Sequence, residues 1–309
     1  MKLIFFLAPL CFVVFPASGG TVSFGTFSID FVDIGNPGNA DDIHFPNRGG
    51  VQYNYQIGVN EVSEDMILKA NIAGGLGLTQ DSRGNDKPST SISWNEAARF
   101  VNWLNTSQGF QAAYDFKTQP GDGGYDPNEN LRLWSTENAW QLGGENLFRH
   151  KDAKYFLPSA DEWYKAAYYD GNTSTYFDYA NGKDTAPASV ASGTADNTAI
   201  YGQTFATGPA EIDNAGSLSP YGTMAQNGNV LEWNETASDG ANNWDQEERF
   251  LQGGAWFGLP SRIKSHWFFG HSPKAGDSIV GFRIAAIPEP STLSLVLAGA
   301  ACAMIRRKR

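Results

Sequence analysis

Thiols, histidines and carboxylates are where chemistry would have to begin, and the chain has few of the first two. Its cysteines, Cys11 and Cys302, each sit in an apolar run near one end, so the body between them carries no thiol. Such a body cannot close an internal disulfide, build a cysteine metal cage or use a cysteine as nucleophile or redox centre. His266 and His271 are near each other but lack the i, i+4 spacing that sets two imidazoles on one helix face, and His44 and His150 are distant in sequence. With Arg262 and Lys264 they make either a basic pocket for an anionic or glycan ligand or ordinary polar residues at the surface. Asp41-Asp42 and Glu247-Glu248 read as solvated pairs in loops. There is no G-x-S-x-G elbow, P-loop or strand-borne G-x-G-x-x-G, so hydrolase, nucleotide and dinucleotide readings lack support. One carboxylate stands out. Glu232 follows a Gly228-Asn229 pair suited to a tight turn and is flanked by Leu231 and Trp233. It either ligates a cation, caps a turn, or pairs with Arg283 or Arg249.

The elements that position these residues are sparse. Ser63 opens a short helix in which Met66, Ile67 and Ala70 share a face. Ser93-Trp94-Asn95-Glu96 has capping-box spacing ahead of Ala97, Phe100, Val101 and Leu104, and Ser159-Ala160-Asp161-Glu162 repeats it ahead of Trp163, Ala166 and Ala167. Residues 51–57 alternate as a strand does. Residues 170–220 are rich in Gly, Ala, Ser, Thr, Asn and Asp with little periodicity, yet Tyr176, Phe177, Tyr179, Tyr201 and Phe205 argue for ordered loop. No internal repeat or linker divides the body. These features predict a single α+β domain over residues 20–286.

The ends carry addresses. Lys2, the apolar run from Leu3 to Phe15 and the small residues Pro16-Ala17-Ser18-Gly19 predict a secretory signal over residues 1–19. Residues 287–309 begin Ile287-Pro288-Glu289-Pro290-Ser291, continue as an apolar run from Leu293 to Ile305 and end in Arg306-Arg307-Lys308-Arg309. A helix over residues 291–305 would be roughly 22 Å long, short of a ~30 Å hydrocarbon core, with its basic end held on the cytoplasmic side. This order of elements resembles the PEP-CTERM sorting signal of bacteria that make exopolysaccharide. The resemblance implies an exosortase partner, a transient membrane anchor and a cell-surface or extracellular destination. Without the two ends, 17 of the 22 basic and 32 of the 33 acidic side chains remain, a net charge near −15 that opposes nucleic-acid binding.

Six segments of the body, in order, resemble the formylglycine-generating enzyme or sulfatase-modifying factor family. They are Ile57-Gly58-Val59-Asn60-Glu61-Val62-Ser63, Ile92-Ser93-Trp94-Asn95-Glu96-Ala97, Leu157-Pro158-Ser159-Ala160-Asp161-Glu162-Trp163, Gly228-Asn229-Val230-Leu231-Glu232-Trp233, Gly253-Gly254-Ala255-Trp256 and Val280-Gly281-Phe282-Arg283. The resemblance implies an α+β fold akin to C-type lectins, poor in regular secondary structure and binding Ca2+. Calcium takes several hard oxygens at once. By carry-over its ligands would be the carbonyls of Gly228 and Val230 with the Glu232 carboxylate, and at a second ion Asn197 with the carbonyl of Thr198. Ala225 stands where the family has Asn or Asp, which removes one side-chain ligand.

Enzymes of this family oxidise a sulfatase cysteine to formylglycine, with copper held by two cysteines shortly after the Gly-Gly-Ser motif. Here Gly258 and Ile263 fall at about those positions, and neither binds cuprous ion, which selects soft thiolates. Ala255 and Leu231 also replace the family's Ser and Trp. The expectation is therefore an exported, non-catalytic binding protein with no copper, whose ligand is a glycan or exopolysaccharide. Trp233, Trp244, Trp256 and Trp267 are candidate sugar-stacking residues. The alternative is a formylglycine-generating oxidoreductase working without its cysteines.

Overall fold

Each of the three serine-led segments begins a helix in the computed structural model, which describes residues 19–288. Helix α1 spans Glu64–Gly74, with the Ser63 hydroxyl accepting the Met66 N–H at 3.3 Å and Gly75 closing it in the left-handed conformation at φ 62°. In α2, Trp94–Ser107, the Ser93 hydroxyl accepts the Glu96 N–H and the Glu96 carboxylate accepts the Ser93 N–H, both near 3 Å. Helix α3, Ala160–Tyr168, is capped the same way by Ser159 and Glu162. These reciprocal bonds satisfy N–H groups that a helix start leaves without partners. The expected apolar faces, Ala97, Phe100, Val101 and Leu104 on α2 and Trp163, Ala166 and Ala167 on α3, are fully buried.

Two sheets receive these helices. In the first, all antiparallel, the strands run in the order Thr21–Ser23, Ser28–Ile34, Tyr55–Gly58, Ala285–Ala286 and Tyr155–Phe156. The strand predicted over residues 51–57 is ladder-paired only from Tyr55 onward. In the second, Phe269–His271, Arg249–Gln252 and Leu231–Ala237 pair antiparallel, and Val280–Gly281 adds in parallel to the last of them. The largest core cluster draws on α2 and both sheets, and some of its aromatic rings meet edge-on, as Phe100 does with Phe282 at 5.7 Å, while others stack, as Phe27 does with Phe100 at 6.1 Å. Such contacts add to the burial of the rings themselves.

Residues 170–220 are held by short local pairings. Tyr169–Asp170 pairs with Thr175–Tyr176, and Ala188–Ser189 runs parallel to Thr198–Ala199. The Tyr201 hydroxyl donates to the Pro187 carbonyl at 2.6 Å, so polar loop backbone and buried aromatic rings hold one another in place. The architecture is the expected α+β fold, with three α-helices among the described residues and many two- to five-residue strands. The N-terminal apolar run and the tail from Glu289 lie outside the described residues. No helix among the described residues is long and apolar enough to cross a membrane.

Candidate functional site

Glu232 lies in an interior strand of the second sheet, fully buried, and both of its oxygens are engaged. Arg283 Nη2 donates to Oε1 at 2.5 Å, while Arg283 Nε and the Trp163 indole N–H both donate to Oε2 at 2.6 Å. The same guanidinium reaches the carbonyls of Gly58, Val59 and Met224 at 2.8 to 3.0 Å. Four of the six sequence segments thus meet at one ion pair, because five planar donors can satisfy acceptors from several strands at once. Of the partners offered by the sequence, Arg283 is the one realised. Arg249 instead lies over the rings of Phe148 and Trp94 at 3.9 and 4.8 Å, and its burial lowers its pKa to about 10.

This geometry bears on calcium. The Glu232 carboxylate accepts three hydrogen bonds, two of them from the Arg283 cation, so a calcium ion there would share the carboxylate with a guanidinium, and only Oε1, with one donor, keeps a free lone pair. Gly228 adopts φ 101°, a value for which glycine is suited, and a Cβ there would lie 2.1 Å from the Ile200 carbonyl oxygen. Its N–H donates to Gly253 O at 2.7 Å, which ties the turn to the Gly-Gly-Ala-Trp segment. Val230 is buried beside it. Asn197 and Thr198 are bonded to a different set of residues. Asn197 Oδ1 accepts from Asn181 Nδ2 at 2.7 Å, and the Thr198 carbonyl accepts both the N–H and the hydroxyl of Ser217 at 2.9 and 3.0 Å. A carbonyl oxygen with two such donors has spent both lone pairs. Among the described residues no group of three or more His, Cys, Asp or Glu is placed to hold a metal ion.

The positions corresponding to the family's copper cysteines are closed differently. Gly258 lies in a tight turn, donating to Ala255 O and accepting from Gly202 N–H, each at 2.8 Å. Ile263 is 0% exposed and packs with Tyr179, Ala199 and Tyr201. A thiolate pair has no counterpart there, and an aliphatic plug occupies one of its places. The polar residues that follow do not converge either. Lys264 pairs with Asp178 at 2.9 Å, Arg262 lies over the Trp267 ring at 4.8 Å, His266 is exposed, and His271 stacks on Trp233 with centroids 5.7 Å apart.

Of the four tryptophans considered for sugar stacking, Trp233 and Trp256 are fully buried, Trp267 is half-buried, and Trp244 is 54% exposed. The exposed rings beside Trp256 are Phe205 and Phe257, with centroids 5.6 and 5.4 Å from it. Sequence reading missed Phe257, for which only its place after Trp256 was a signal. It also missed an open cavity of about 540 Å³ lined by Tyr169, Tyr176 and Phe177 on one hand and Asn39, Asp41, Asp42 and Asp184 on the other. Aromatic rings set among hydrogen-bonding side chains suit the two faces of a sugar.

Comparison with known proteins agrees with this geometry. The profile of the Sulfatase-modifying factor enzyme 1-like domain matches residues 42–287. Among solved structures, Treponema denticola variable protein 1 is similar at TM-score 0.57 and 19% identity, covering 87% of this chain and 99% of that one. CarF is similar at TM-score 0.56 and 20% identity, covering 84% and 99%. PvdO from Pseudomonas aeruginosa is similar at TM-score 0.54 and 15% identity, covering 88% and 99%. At these identities the likeness is one of fold. No curated protein matches the chain. With the domain profile spanning most of its length and its sequence segments meeting at the Glu232–Arg283 pair, this chain belongs to the sulfatase-modifying factor family.

Proposed function

We propose that this protein is an exported, non-catalytic binding member of the family, which holds a glycan at the bacterial cell envelope or in its matrix. The carrying observation is the pair of positions Gly258 and Ile263. One is a glycine in a hydrogen-bonded turn and the other a fully buried aliphatic side chain, so the soft-sulfur site that cuprous ion requires has no donors. The cavity with Tyr169, Tyr176 and Phe177 supports a sugar ligand, its asparagine and three aspartates serving as hydrogen-bond partners for hydroxyl groups. The N-terminal run and the tail over residues 287–309 support export, recognition of the tail by an exosortase and transient contact with the inner membrane. Calcium has no part in this reading, because Glu232 already has its charge partner in Arg283.

The test is to incubate the protein with a sulfatase-motif peptide, copper and oxygen and to follow peptide mass. The peptide is expected to stay a thiol. Conversion of its cysteine to an aldehyde would restore the oxidoreductase reading. A glycan-array screen then addresses the ligand, and binding lost in Tyr176→Ala would place it at the aromatic cavity.

A further inference from the structure

Three asparagines of the chain begin an Asn-x-Ser/Thr triplet, the acceptor motif for asparagine-linked glycosylation: Asn105-Thr106-Ser107, Asn172-Thr173-Ser174 and Asn234-Glu235-Thr236. The fold separates them. Asn105 and Asn234 are 0% exposed. Asn105 lies within α2, its amide donating to the Tyr155 carbonyl at 2.8 Å and its Oδ1 accepting the Tyr155 N–H at 2.9 Å, and Asn234 lies within the Leu231–Ala237 strand. A transferase reaches neither without unfolding the core. Asn172, Thr173 and Ser174 are all exposed. They form the tip of the hairpin in which Tyr169–Asp170 pairs with Thr175–Tyr176.

The build of this tip suits an acceptor. Four of its hydrogen bonds run to one residue: Asp170 Oδ1 accepts the backbone N–H and the amide Nδ2 of Asn172 at 2.9 and 3.1 Å, Oδ2 accepts the Thr173 hydroxyl at 3.0 Å, and the Asp170 carbonyl accepts the Ser174 N–H at 2.8 Å. Ser174 sits at φ 56°, in the left-handed region that residues other than glycine seldom occupy. The two strands make a sheet of their own, two residues long on each side. Exposed hydrogen bonds that share one partner open locally, far below the cost of global unfolding. Once Asp170 lets go, the Asn172 amide and the Ser174 hydroxyl are free to be read in an extended segment.

We propose that Asn172 is the acceptor of an N-linked glycan, added to the exported chain by an oligosaccharyltransferase from a lipid-diphosphate-linked oligosaccharide. Asn172 Nδ2 forms a bond to the anomeric carbon of the sugar as the bond from that carbon to the diphosphate oxygen breaks. The lipid diphosphate leaves with the bonding pair, the amide proton passes to a base of the transferase, and nothing is oxidised or reduced. The Ser174 hydroxyl, two residues on, completes the recognised motif. The modification rests on the exported reading, because donor and transferase work outside the inner membrane, but not on what the aromatic cavity binds. Ser174 and Thr175 also line that cavity, so the attached sugar starts two residues from its wall.

The full chain, with and without an added secretion leader of established activity, is produced in bacteria that hold an asparagine oligosaccharyltransferase and its lipid-linked donor, beside a known acceptor glycoprotein. Peptides from the envelope fraction are then read by mass spectrometry. One oligosaccharide is expected on the peptide carrying Asn172, none on those carrying Asn105 or Asn234, and none in cells without the transferase. Asn172→Gln and Ser174→Ala, both at exposed positions, are expected to lower occupancy at least tenfold while leaving the melting midpoint of the unmodified protein where it was. Modification seen only with the added leader supports the site and overturns the chain's own export. A bare Asn172 in folded chain recovered from the envelope, while the control glycoprotein is modified, overturns the site, as does full occupancy in Ser174→Ala or sugar on Asn105 or Asn234 instead.

Discussion

Arg283 ties several separate segments of this molecule together. Its guanidinium closes the charge of Glu232 and donates to the carbonyls of Gly58, Val59 and Met224. Removing one partner of such a pair leaves an unpaired buried charge, which costs about 3–5 kcal/mol. Arg283→Met should lower stability by that order in urea unfolding, and Glu232→Leu/Arg283→Met should lose less than Arg283→Met alone. A double variant that is the worse of the two would contradict the ion-pair assignment. Lys165 offers a pH test. It is buried in α3, its ammonium donates to the Asn36 carbonyl at 2.9 Å, and burial lowers its pKa from 10.5 to about 8. Below pH 8 both states hold the proton and the native state bears the cost of a buried charge. Between about 8 and 10.5 the native state has released a proton that the unfolded chain keeps, so stability from this group rises with pH. Lys165→Met should therefore raise the melting midpoint most at pH 7, and its advantage should shrink toward pH 10.

Among the elements, the helix starts were the most legible part of the sequence. Ser93 with Glu96 and Ser159 with Glu162 form boxes from residues three apart, so local spacing is enough to read them. The convergence on Glu232 was not legible in that way. Trp163 and Arg283 lie 69 and 51 residues away, and only the fold decides that Arg283 rather than Arg249 reaches the carboxylate. The strand over residues 51–57 was half right because alternation marks burial, while ladder pairing needs a neighbouring strand, present only from Tyr55. A cavity lined by Ile29, Glu61, Asp86, Ile212 and Ile284 gave no sequence signal, since its walls come from five separated segments. Ser93→Ala and Ser159→Ala should each cost about 1 kcal/mol in thermal or urea unfolding, additively, because they start different helices. Gly228→Ala should cost more than either, since it adds a side chain at φ 101° against the Ile200 carbonyl.

For the whole molecule, the family fold is kept with Gly258 in a hydrogen-bonded turn and Ile263 fully buried. On the proposed reading, specificity for a ligand would depend on surface cavities and net acidity. Because Glu232 is neutralised by Arg283, the melting midpoint should be the same in excess calcium and in chelator; a ligand selective for the native state would raise it by mass action. The most direct test of the account is titration of Cys11→Ser/Cys302→Ser protein with cuprous ion against a competing chelator. No stoichiometric uptake is predicted, and tight binding of one copper per chain by this thiol-free variant would contradict it.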